Sequence, residues 1–73
     1  MTKTKLKRLA KIVAANALFN SLGSEYDTEL LTEEEFEILH RELNYMAYKI
    51  LGNIHVPTEA LFVRNLDLLI EYV

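Results

Sequence analysis

The chain has 73 residues, 51% of them apolar and 26% charged, with a net charge of −3 and no cysteine. That is room for one globular domain, and it excludes a disulfide framework or a cysteine-based structural zinc site. A core this small supplies about 3–5 kcal/mol of net stability unless something else staples it. With disulfide and metal set aside, association with other chains is the staple that remains.

The first expected helix covers residues 4–22 and ends at Gly23, a C′ glycine. Residues 1–11 carry Lys3, Lys5, Lys7, Arg8 and Lys11 and no acid. Basic residues in a first helical turn oppose the helix dipole, so they invite a compensating anion. The apolar stretch Ile12-Val13-Ala14-Ala15 is broken by Asn16 and again by Asn20. It is too short for the apolar region of a secretory leader, and no run reaches the roughly 18 residues that span a bilayer. Leu6, Leu9, Val13 and Ala17 form the expected core stripe of this helix. Ile12, Leu18, Phe19 and Leu22 point nearly opposite. Ala10, Ala14, Ala17 and Ser21 form a small-residue ridge that would let another helix, of this chain or of a second copy, come close.

The segment 23–31 is long for a connection between helices, and Ser24 to Asp27 could open a brief helical turn in it. The second helix, 32–51, has the clearest start. Thr32 and Glu35 make a capping box, with Leu31 and Phe36 as its hydrophobic staple. Phe36, Leu39, Leu43, Met46 and Ile50 repeat in 3-4 spacing and predict the core face. Ile38, Arg41, Tyr45 and Tyr48 form a second stripe on the far side. Tyr and Arg combine contact area with a polar handle, so this stripe is a candidate protein interface. His40 sits at the edge of the core stripe as a partly buried, hydrogen-bonded side chain.

Gly52 closes the second helix, and Pro57 opens or precedes the third, expected over 58–72. His55 lies exposed between them. The third helix shows Phe62, Leu66, Leu69 and Val73, with Leu61, Leu68 and Tyr72 alongside. Only Ala60, Arg64, Asp67 and Glu71 occupy its polar arc. Val63 and Ile70 lie outside the main stripe, one heptad apart. An apolar arc of roughly 200° exceeds what one core covers, which makes Val63 and Ile70 a second candidate interface patch.

The expected architecture is all-α: a small antiparallel three-helix bundle forming a single domain over residues 1–73. In such a bundle the basic start of helix one lies far from the acidic stretch 25–42. That stretch holds Glu25, Asp27, Glu29, Glu33, Glu34, Glu35, Glu37 and Glu42 against Arg41 alone. Asp67 and Glu71 would join its acidic end.

The residues carry no nucleophile–base arrangement, phosphate-cradling glycine loop or paired metal-binding histidines. The glutamates cluster where a helix start needs them. Catalysis, a cofactor, a metal and a small-molecule substrate are therefore not expected. The expected function is a non-catalytic protein–protein interaction module of the cytoplasm. It would self-associate as a homo-oligomer or dock on a larger assembly through Ile38, Arg41, Tyr45, Tyr48, Val63 and Ile70. Accessory proteins of viruses and mobile elements are often of this size and type, an expectation that rests on no particular residue. The alternative is a nucleic-acid-associated regulator using Lys3, Lys5, Lys7, Arg8 and Lys11. The pI near 5.3 weighs against it, since such domains typically exceed 9. Membrane contact is not expected.

Overall fold

Caps decide where the helices begin. Thr2 accepts a hydrogen bond from the Lys5 N–H at 3.2 Å, which opens the first helix without any acid in its first turn. At the second helix, Thr32 Oγ1 accepts from the Glu35 N–H at 3.1 Å. The Glu35 carboxylate in turn accepts from the Thr32 N–H at 2.9 Å, completing the expected capping box. Hydrogen bonds from the backbone and side chain of Thr32 hold the Glu35 carboxyl below its usual range. Gly52 ends this helix at φ +58°, a left-handed value that costs glycine little.

The computed structural model describes residues 1–21 and 29–73, and there the chain is helical with no strand. Its helices are α1 (Lys3–Phe19), α2 (Glu33–Leu51), α3 (Thr58–Phe62) and α4 (Leu66–Ile70). Gly23 and the turn expected over Ser24 to Asp27 lie outside the described residues.

Two short helices stand where one was expected over 58–72. Val63 is extended (φ −91°, ψ 119°), and the helix restarts only after Asn65. The break replaces helical hydrogen bonds with side-chain ones. Asn16 Nδ2 donates to the Leu61 and Val63 carbonyls at 2.7 and 3.0 Å, and Asn20 Nδ2 donates to Leu61 O at 2.9 Å. On the far side, Asn65 Oδ1 accepts from the Asp67 and Leu68 N–H groups and caps α4. A continuous helix would have used the same Leu61 and Val63 carbonyls for its own ladder.

The asparagine clamp also sets the direction of the last segment. Leu61 and Val63 sit at the end of α1, while Ile70 and Val73 lie beside Met1, Thr2 and Lys5 at its start. The segment thus runs back along α1, whereas an up-down-up bundle would run it parallel. The expectation that this end joins an acidic pole is corrected accordingly: it lies next to the basic start of α1. Phe19, the last residue of α1, meets Tyr48 in the last turn of α2, with ring centroids 5.5 Å apart and edge to face. A simple hairpin would have set it beside the start of α2.

The core forms around α1, which packs against every other helix. Ile12, Ala15 and Phe19 meet Ala47 and Leu51 of α2, Val56 of the connection, Ala60 and Leu61 of α3 and Leu69 of α4. Phe19 also meets the Phe62 ring edge to face at 5.3 Å. The molecule is elongated, 45 × 21 × 18 Å.

This packing rotates each helix away from its expected face. On α1, Leu6, Val13 and Ala17 are exposed and Leu9 is half-buried, while Ile12, Ala15, Asn16 and Phe19 are buried. On α2, Leu39, Met46 and Ile50 are exposed and only Phe36 and Leu43 of the expected stripe are half-buried. On α3 and α4, Phe62 and Leu66 are exposed, and Ala60, Leu61 and Leu69 are buried instead. The physical reason is the small size of Ala15 and Ala47, both fully buried, which leaves room for Ile12, Phe19 and Leu51 between the backbones. The Ala10–Ala14–Ala17–Ser21 ridge is not that contact: each of its residues keeps some exposure.

Asn16→Ala would strip donors from Leu61 O and Val63 O, and should cost about 1–3 kcal/mol. Asn16→Asp should cost more, because it sets a carboxylate against two carbonyls in a buried position. Urea denaturation followed by far-ultraviolet circular dichroism checks the order; equal stability of both variants and the parent would remove the clamp from the account.

Candidate interaction surfaces

α2 has side chains all round, and α1 covers only one side of it. Ala47 and Leu51 are buried there, and Phe36, His40, Leu43 and Asn44 are half-buried. At 100° per residue, two flanks remain on either side of that contact.

The first flank is the expected interface stripe. Ile38, Arg41, Tyr45 and Tyr48 are all exposed. They differ in what they touch. Tyr48 braces the fold: its ring meets Phe19 and its hydroxyl shares a 3.1 Å hydrogen bond with Thr58 Oγ1. Tyr45 is 59% exposed, with Lys49 Nζ 5.1 Å from its ring centroid. That cation–π contact is local to one turn.

The second flank carries Leu39, Met46 and Ile50, exposed by 40, 50 and 37%, with Leu43 half-buried beside them. Single exposed apolar residues are ordinary, but four aligned at 4-3-4 spacing are a stripe. Sequence reasoning found this stripe and misassigned it to the core. The signal for the correction was available in Ala47, whose missing bulk lets α1 approach the adjacent side. Glu42 and Lys49 border the stripe, both exposed.

The second expected patch is divided. Val63 is 45% exposed at the break between α3 and α4, while Ile70 is half-buried beside Val73. Ile70, Val73, Met1, Thr2 and Lys5 line an open depression of about 640 Å³. Lys5 is the one lining residue with a basic side chain, and no Asp or Glu lines it.

Lys3, Lys5, Lys7, Arg8 and Lys11 are all exposed and form no ion pair with a described residue. Lys3, Lys7 and Lys11 are spaced by four and line one ridge of α1. His40 is half-buried as expected but hydrogen-bonds to no described residue, and His55 is exposed. Among the described residues, no three His, Cys, Asp or Glu side chains come together as a metal site, and no helix is long and apolar enough to cross a membrane. Among the described residues, Asn44 Oδ1, on the α1-facing side of α2, is the buried side-chain polar atom without a partner.

Because Tyr48 touches Phe19 and Thr58, Tyr48→Ala should destabilise the chain by about 1–2 kcal/mol. Tyr45→Ala should cost under about 1 kcal/mol, since only an exposed cation–π contact is lost. Paired urea titrations measure both; equal losses would mean that Tyr48 braces nothing.

Comparison with protein families, curated proteins and solved structures finds no match to this chain.

Proposed function

We propose that this protein is a non-catalytic protein–protein interaction module that works by covering the apolar flanks of its long helices against another chain. The observation that carries the reading is the exposure of Leu39, Met46 and Ile50 along one side of α2. An aligned apolar face left in water is an aggregation liability unless a partner covers it. Leu6 and Val13 on α1 and the Ile38–Tyr45 side of α2 add to the same surplus. A helix of 19 residues capped at its start offers such a face on a rigid support. The cysteine-free composition suits a reducing cytosol, where we place it.

Light scattering after size exclusion, combined with binding of an apolar fluorescent dye, tests the reading. The expected result is either an oligomer, or a monomer that binds the dye strongly. A monomer that binds no dye at 100-micromolar concentrations would overturn it, because no accessible apolar face would then exist.

A second reading rests on the five cations of α1, which pair with no described residue. The Lys3–Lys7–Lys11 ridge suits a polyanion backbone. Binding of duplex DNA or RNA should then weaken linearly with log salt, with a slope of about −0.9 per phosphate neutralised on B-DNA. Absence of binding at low salt, by fluorescence anisotropy, would end this reading.

A further inference from the structure

The apolar flank of α2 has features that select its occupant. Leu39, Leu43, Met46 and Ile50 follow one another at 4, 3 and 4 residues, the seam spacing of a coiled coil, so the complementary surface is another helix. The seam runs from Leu39 to Ile50, 11 residue steps and about 17 Å of helix. Among the described residues no helix fills it, because α2 packs on α1 and makes no comparable packing with α3 or α4.

We propose that the occupant is a second copy of this chain, with the two α2 helices antiparallel about a two-fold axis. In that arrangement Leu39 faces Ile50 of the second copy, and Leu43 faces its Met46. The same pairs recur on the other side of the axis, giving four apolar layers from four residues. A two-fold contact requires such self-complementarity, since each patch must match itself in reverse.

Charge selects the direction. Glu42 and Lys49 border the seam on the same side, both exposed and neither in an ion pair with a described residue. They are two turns apart, about 10.5 Å along the axis, too far to meet within one helix. In the antiparallel dimer each Glu42 lies opposite Lys49 of the second copy, so two interchain pairs form. In a parallel dimer Glu42 would lie opposite Ala47 of the second copy, and Lys49 would have no acid across the seam. Charges bordering a coiled-coil seam set partner and orientation in this way. On the other border His40 faces Ala47 of the second copy, adding no like-charge contact.

This inference rests on the interaction reading above and specifies its partner. The test uses the full chain and four variants: Glu42→Lys, Lys49→Glu, the double swap, and Met46→Asp. Sedimentation equilibrium across a concentration series gives the dissociation constant, and circular dichroism confirms that each variant is helical. The parent should be a dimer, twice the 8.5 kDa chain mass. Each single reversal turns two attractions into repulsions and should raise the dissociation constant about tenfold. The double swap restores both pairs with opposite sense and should return it to the parental value. Met46→Asp should give a monomer. A double swap as weak as the single reversals would overturn the antiparallel dimer. So would a parent that stays monomeric while binding apolar dye, although the interaction reading would then stand with a different partner. A dye-silent monomer would overturn both.

Discussion

The side-chain amide of Asn16 fixes more of this fold than any other group. Asn16 is 7% exposed and lies on α1, yet both bonds of its amide nitrogen go to carbonyls more than 40 residues away. Asn20 adds a third donor to the same turn and ties back to Asn16 O at 2.7 Å. Together they take over carbonyls that a helix over 58–72 would need for itself. The last segment therefore bends at Val63, restarts at Asn65 and runs back along α1 to its basic start. Buried amides without such partners would be costly, so clamp and break require each other.

With the last segment held on α1, α2 packs along its length on α1 alone among the described helices. Its contact side is built around two alanines and completed by Ile12, Phe19 and Leu51. A helix with one neighbour buries one side, and α2 has apolar residues on more than one. The surplus on Leu39, Met46 and Ile50 follows from the topology, and it is the physical basis of the interaction reading. Tyr48 belongs to both accounts. It lies on an exposed flank, yet it braces the junction of α1, α2 and α3 through Phe19 and Thr58.

The charges share this division. The basic start of α1 forms a ridge that pairs with no described residue, and the acidic start of α2 is spent partly on capping. Helix starts suit acids and not lysines, so α2 is locally content while α1 carries positive charge against its own dipole. Glu42 and Lys49 lie away from both starts and beside the apolar seam, where charge can choose direction.

What the sequence determined by itself is local. The helical class, the capping box at Thr32 and Glu35, the glycine at 52, the limits of α2 and the start of α3 after Pro57 were all legible, because each depends on neighbours within a few residues. The presence of more apolar faces than one core can bury was legible too, from periodicity. Which faces those are was decided by tertiary structure. Leu39, Met46 and Ile50 have the spacing of a core stripe, and nothing local distinguishes them from the side that Ala47 and Leu51 actually bury. The break at Val63 was equally hidden, because its cause is an amide on another helix. Periodicity reports that a face is apolar; only the partner brought against it decides whether it is core or surface.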